Sequence, residues 1–163
     1  MKKPVIFAVI GLVVAAGGAF LAAGVPKPPE AKVDWRSKRG TDDYYKECEP
    51  QNHEIKDLNV NIKGSNGERY LTVGLAVQFR LGAELMNPPD KSEPDYKAPF
   101  ESAKLEISDR LTLLLSNKTL PELEGREKQN VLKQEILEEV TAAVFPDQMG
   151  RIDKVFINKL LVQ

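Results

Sequence analysis

Cys48 and His53 are the only cysteine and the only histidine in the 163-residue chain, so they are the first candidates for chemistry. A thiol beside an imidazole can form a nucleophile pair, but the pair needs an orienting third group and a rigid frame. The polar segment around these two residues predicts neither. One cysteine and one histidine also fall short of the converging ligands that a protein metal site needs. We therefore predict no catalytic residue, no metal site and no cofactor.

The glycines and paired carboxylates have structural explanations. Gly64 and Gly67 flank a turn and are followed by no helix, so they predict no phosphate-binding loop. Glu138 and Glu139 fall on the polar face of a predicted helix, where solvation explains them. The net charge is −1, with acids and bases mixed along the chain and no basic stripe, which argues against nucleic-acid binding. We therefore expect the protein to act by binding partners.

An apolar segment at the N-terminus must lie outside the core of a small domain. Residues 4–26 contain no charged side chain, and a helix over Val5–Val25 is about 31 Å long, close to the thickness of a bilayer core. We predict a transmembrane helix over residues 4–26. A cleaved signal peptide is the alternative, although the apolar run is longer than a usual signal. Flanking lysines and arginines leave the orientation open. Small residues on one side predict a helix-packing face: Gly11, Ala15, Gly18 and Ala22.

Residues 27–51 predict a linker. Its Pro-rich start stops the helix, and the rest is mostly polar. Three aromatic residues, Trp35, Tyr44 and Tyr45, exceed what a solvated spacer needs. We expect them to dock on the domain or to anchor at the membrane interface, with a specific partner contact as the alternative. Cys48 cannot form an intrachain disulfide. We interpret it as a tolerated surface cysteine, in preference to a disulfide between subunits.

A hairpin opens the domain, which we place at residues 52–163. Leu58–Ile62 alternates apolar and polar residues, and Tyr70–Leu81 has a large apolar residue at every odd position from Leu71. The Asn-Gly pair between these segments predicts a tight turn. The odd face of the second strand should therefore be core. The even face is only moderately polar, and we predict self-association through three of its residues: Tyr70, Thr72 and Ala76.

Two helices and a last strand complete the domain. Apolar stripes predict helices over Ala98–Ser116 and Arg126–Phe145, and Thr119 with Glu122 predicts a capping box between them. An irregular alternation over Ile152–Val162 predicts a third strand with a bulge. The element order predicts an α+β domain, β-β-α-α-β, with a three-stranded, mostly antiparallel sheet and helices on one face.

Three segments of this domain carry a resemblance to a known family: Arg69–Arg80, Ile107–Thr119 and Pro121–Leu123. A charged second helix and a strand ending at Val162 and Gln163 follow them. Together their order and spacing resemble those of the FliL family of flagellar basal body-associated proteins. The preceding apolar segment and linker also suit that family.

The resemblance implies a single-pass protein of the bacterial inner membrane, with residues 1–3 in the cytoplasm and residues 52–163 in the periplasm. It implies a domain similar to the stomatin/prohibitin scaffold domain, which assembles rings, and association with the stator units that drive swimming and swarming. The implied partners are further copies of the chain, stator proteins and membrane lipid. Two alternatives stay open: a membrane scaffold without a flagellar role, and a secreted periplasmic binding protein with a cleaved signal.

Overall fold

A computed structural model describes residues 34–90 and 92–163, with Trp35 described by its backbone alone. The elements within these residues are a 3-10 turn (Trp35–Lys38), α1 (Asp42–Tyr45), β1 (Gln51–Asn61), β2 (Tyr70–Leu81), α2 (Ala83–Met86), α3 (Ala98–Ser116), α4 (Leu120–Leu123), α5 (Arg126–Val144) and β3 (Gly150–Val162). The described part of the chain holds no helix with the length and apolar character to cross a membrane. The predicted transmembrane helix over residues 4–26, with its packing face, lies outside the described residues.

The three strands form one sheet in the order β1-β2-β3, and both neighbouring pairs are antiparallel. The predicted α+β class and three-stranded sheet are therefore confirmed. β2 has the predicted bounds, and so does α3. Both helices were predictable because their buried residues recur every third or fourth position, which is the spacing of one helix face.

The connection between β1 and β2 is longer than the predicted tight turn, since it runs over residues 62–69. Within it, Asn66 and Gly67 form a tight turn that the amide of Glu68 closes by donating to the carbonyl oxygen of Ser65 at 2.9 Å. The amide of Ile62 donates to the carbonyl oxygen of Arg69 at 3.3 Å and closes the hairpin. Asn66 and Gly67 both have positive φ, a conformation that asparagine and glycine adopt more easily than other residues.

Hydrogen bonding alternates along β2. In an antiparallel ladder every second residue bonds to a given neighbouring strand. Tyr70 exchanges both backbone hydrogen bonds with Gln163, so the even residues of β2 face β3 and the odd residues face β1. β1 and β3 are consequently the two edges of the sheet.

β1 is longer than the predicted strand over Leu58–Ile62. The register shifts between Ile55 and Leu58, where Lys56 and Asp57 form a bulge. Because of that bulge, Ile55 and Leu58 both pack against the core although an unbroken strand would place them on opposite faces. Because the bulge interrupts the alternation of apolar and polar residues, the sequence pattern does not predict the first half of β1.

The core lies between the odd face of β2 and the two long helices. Leu71, Val73, Leu75, Val77 and Phe79 are all almost fully buried. The buried side chains of α3 and α5 belong to the same apolar cluster. Because both long helices pack on the odd face, neither of them covers the even face of the sheet, as the predicted arrangement requires.

Residues 34–50 fold against the domain. Cys48 is buried, and its Sγ accepts a hydrogen bond from the amide of Leu81 at 3.2 Å. The expectation of a surface cysteine is therefore wrong. The physical reason is position: β1 begins at Gln51 beside Phe79 of β2, so Cys48, three residues before β1, lies against Leu81 at the end of β2.

Candidate functional site

The open face of the sheet is the most distinctive surface of the described residues. It comprises the even positions of β2 and the residues opposite them on the edge strands. Tyr70, Leu161 and Phe156 are exposed by 51%, 47% and 45%. Thr72 lies opposite Leu161, and Ala76 lies opposite Phe156. We call this set (Tyr70, Thr72, Ala76, Phe156 and Leu161) the apolar patch.

The structure places the three residues predicted for self-association on this one face, and it adds Phe156 and Leu161. The sequence pattern does not reveal those two positions, because β3 shifts register twice, beside Gln78 and beside Gly74. Each shift reverses which positions point to the core, so no single alternation runs through β3. Pairing with β2 supplies the missing assignment.

One polar contact borders the apolar patch and another crosses it. The Thr72 hydroxyl donates to Asn59 Oδ1 at 2.6 Å, and Lys159 Nζ lies 3.0 Å from Asp57 Oδ2. Both contacts join an edge strand to its neighbours on the open face. They hold the exposed side chains of β1 in place next to the apolar patch.

A charged cluster lies at the other end of β3. Arg151 pairs with Asp153 at 2.9 Å and with Asp42 at 2.6 Å, while Arg80 pairs with Asp153 at 2.9 Å. The guanidinium of Arg151 also lies 4.9 Å from the centre of the Tyr45 ring. These contacts attach α1 to the sheet, and they are partly exposed, so each ion pair adds little stability alone.

The structure buries two of the three aromatic residues of the predicted linker. Tyr44 and Tyr45 pack together with Ala83, their rings 5.1 Å apart. The Tyr45 hydroxyl donates to the carbonyl oxygen of Gln148 at 2.8 Å. Burial raises the pKa of both phenols. The side chain of Trp35 lies outside the described part of the structure.

Cys48 and His53, the two candidates for chemistry in the sequence, have separate structural roles. The Cys48 thiol donates to the carbonyl oxygen of Glu49, and burial raises its pKa, which disfavours the nucleophilic thiolate. The His53 ring stacks on Phe100 at 4.1 Å with an interplanar angle of 15°, and burial lowers its pKa. Within residues 34–90 and 92–163, no three His, Cys, Asp or Glu side chains are grouped to hold a metal ion.

A groove runs between the edge strand β1 and helix α3. Its volume is about 440 Å³, and its floor is largely apolar, formed by Ile55, Leu58, Phe100 and Ile107. We call it the β1–α3 groove. Unlike the open face, it is a concave surface, bounded on one side by backbone groups at the edge of the sheet.

Comparison with known proteins adds one positive finding. A family model described as "Flagellar basal body-associated protein FliL" matches residues 53–163. No curated protein matches the chain. The matched residues include nearly all of β1 and every later strand and helix, and hence both the apolar patch and the β1–α3 groove.

Proposed function

The chain belongs to the FliL family of flagellar basal body-associated proteins, and from this premise we propose that it is an accessory protein of the flagellar motor. It oligomerises in the periplasm and associates with stator units to support torque, swimming and swarming. The observation that carries the proposal is the family match over residues 53–163. The fold supports a binding role because its candidate surfaces are an apolar patch and a groove.

The apolar patch is the proposed self-association surface. Exposed apolar side chains on a small domain are common one at a time, but several of them on one face among polar side chains indicate an interaction site. Tyr70, Phe156 and Leu161 lie on the same face of the sheet, and the Asp57–Lys159 pair crosses that face over Gly74, between Leu161 and Phe156. Covering these side chains with another protein surface removes apolar area from water, which is the main favourable contribution to association.

A membrane anchor completes the proposal. Residues 4–26 form a single transmembrane helix in the inner membrane, and Gly11, Ala15, Gly18 and Ala22 pack against a neighbouring helix. Anchoring holds every copy in one plane and raises its effective concentration, so a weak contact between domains suffices for assembly. Recovery of the first residues, Met1 or Lys2, by N-terminal sequencing of the mature protein supports the anchor; their loss identifies a cleaved signal.

A deletion strain scored separately for swimming and swarming tests the motor role. We expect both to decrease, swarming more strongly, and the full-length gene to restore them. The deletion strain supplied with a gene that carries both Tyr70→Asp and Phe156→Asp should not regain swimming or swarming. The matched control is Leu113→Asp, which places the same charge at an exposed leucine of α3. Normal swimming and swarming in the deletion strain would overturn the proposal.

Co-purification distinguishes the motor role from that of a membrane scaffold of the same fold. Full-length protein extracted from native membranes should bring stator proteins with it. Recovery of the oligomer without stator proteins, from cells whose motors are assembled, would favour the scaffold.

A further inference from the structure

The outer edge of β1 carries backbone groups that no described strand pairs. Because the odd residues of β2 bond to β1, the residues opposite the even positions turn their N–H and C=O groups outward. Asn52, opposite Gln78, and Glu54, opposite Ala76, are two of these. An unprotected strand edge of this kind accepts another strand.

The β1–α3 groove lies directly beside that edge. A strand added along β1 would direct alternate side chains over Ile55, Leu58 and Phe100. It would also cover Leu105, which borders the groove and is 85% exposed. A single exposed leucine on a surface needs no explanation. Leu105, however, borders an apolar groove beside an unpaired strand edge, as expected of a surface that a partner covers.

β3 has the properties of the strand that would fit there. It is the other edge of the sheet and spans Gly150–Val162, so its length is comparable to that of β1. Its charges are mostly basic: Arg151, Lys154 and Lys159 against Asp153. Residues 46–50 and β1 together are mostly acidic: Glu47, Glu49, Glu54 and Asp57 against Lys46 and Lys56. Within one copy Arg151 pairs with Asp42 and Asp153, and Lys159 pairs with Asp57. The charge complementarity of the two edges therefore depends mainly on Lys154 of β3 and Glu54 of β1, and it adds to the complementarity in backbone hydrogen bonding.

We propose that β3 of a second copy of this chain pairs along β1, next to the β1–α3 groove, so that the sheet continues from one copy into the next. The inference rests on the self-association in the proposed function and specifies its contact. The contact is head-to-tail, because it joins two different surfaces. Such a contact closes into a ring or extends into a filament, whereas a contact between identical surfaces stops at a dimer. It also places the Phe156 and Leu161 side chains of one copy beside β1 of the next.

Proline at an outward-facing position of β1 tests the pairing. In full-length protein cross-linked in membranes, Asn52→Pro should weaken self-association about tenfold. The pyrrolidine ring of proline replaces the backbone N–H donor and sterically obstructs an added strand. Asn52→Ala is the matched control and should assemble like the wild type. The proline leaves the β1–β2 ladder intact, and an unchanged thermal transition of the variant verifies that it folds. Wild-type assembly of a folded Asn52→Pro variant would overturn the edge pairing.

Charge reversal gives a second test, independent of backbone changes. Glu54→Lys and Lys154→Glu should each weaken assembly several-fold. The variant with both substitutions should recover, because its two edges are again complementary at these positions. Glu127→Lys, on α5, is the control for net charge. Failure of the double variant to recover would overturn the charge complementarity on which the inference depends.

The outcomes separate this inference from the proposed function. Large closed oligomers that neither the proline nor the reversals affect would overturn the edge contact and leave the oligomeric accessory protein standing. A strict dimer of the wild-type protein would overturn the head-to-tail contact. A wild-type monomer in membranes would overturn both.

Discussion

Asp57 and Lys159 form an ion pair across the middle strand of the sheet because the residue between them is Gly74. Asp57 Oδ2 lies 3.0 Å from Lys159 Nζ, although one residue belongs to β1 and the other to β3. A Cβ at residue 74 would lie 2.8 Å from Asp57 Oδ1 and 3.1 Å from Lys159 Cβ. The glycine thus leaves room for the two edge strands to be joined over the open face.

Substituting Gly74 tests that arrangement. Gly74→Val should lower the free energy of unfolding by about 1–2 kcal/mol, because its branched side chain meets both Asp57 and Lys159. Gly74→Ala should cost less, since the exposed Asp57 side chain can rotate away. Urea denaturation of residues 34–163 measures both values. An equal loss in Asp57→Asn alone would assign the effect to the ion pair and not to crowding.

The sheet face is tested by introducing a charge at two leucines. Leu75 is 1% exposed on the odd face of β2, and Leu75→Asp should unfold the domain, because an unpaired buried carboxylate costs several kcal/mol. Leu105→Asp places the same charge at an exposed leucine of α3 and should melt close to the wild type. Circular dichroism during heating compares them. Cooperative melting of Leu75→Asp near the wild-type temperature would contradict the assignment of the core face.

His53 should make stability depend on pH. Its pKa in the folded state is lowered from 6.5 by burial, with Glu54 and Glu101 acting against that shift and Lys97 adding to it. The unfolded chain therefore binds a proton at a higher pH than the folded chain does. The stabilising contribution is complete above about pH 7 and is lost progressively as the pH falls from the unfolded pKa through the lower folded pKa.

The measurement is the free energy of unfolding at about pH 7.5 and about pH 5.5. We expect the wild type to lose more stability between these values than His53→Gln does, since the variant has no imidazole to protonate. Carboxylates that titrate in the same range are common to both proteins, so they cancel in the comparison. Equal losses would show that His53 is equally free to protonate in both states.

Cys48 should react slowly while the domain is folded. Its thiol is buried and its pKa is raised, so both access and thiolate formation are disfavoured. A membrane-impermeant thiol reagent should label it in urea and only slightly in buffer. Rapid labelling of the folded protein would show that residues 34–50 detach.

A topology experiment therefore needs an exposed cysteine. Cys48→Ser with Glu93→Cys provides one, because Glu93 is exposed on the loop before α3. A periplasmic domain predicts labelling in intact spheroplasts. Labelling after lysis alone would place the domain in the cytoplasm and argue against the motor role.

The N-terminal boundary of the domain can be tested with two fragments. Residues 34–163 should be more stable than residues 52–163 by about 3 kcal/mol, because the shorter fragment lacks the buried Tyr44, Tyr45 and Cys48 side chains. Urea denaturation of the two fragments measures the difference. Equal midpoints would show that residues 34–50 add nothing to the core.

The sequence predicts those elements whose side-chain period is unbroken. β2 and α3 have the predicted bounds, and the turn and the capping box at Thr119 follow from local chemistry. The bulge at Lys56 and Asp57 concealed half of β1. The positions of Phe156 and Leu161 depend on pairing with β2, and the burial of Cys48 depends on Leu81. These are long-range contacts, which no local pattern encodes.

The buried tyrosines of α1 have a mechanical consequence. A pull on the domain from its N-terminal side reaches Tyr44, Tyr45 and the Asp42–Arg151 pair before it reaches β1. Without these contacts, the force would act directly on Gln51, the first residue of the edge strand β1, and would break the hydrogen bonds between β1 and β2 one after another. With them, tension must first extract two packed aromatic rings from beside Ala83. The packed tyrosine pair thus protects the pairing of β1 with β2 when force is applied from the N-terminal side.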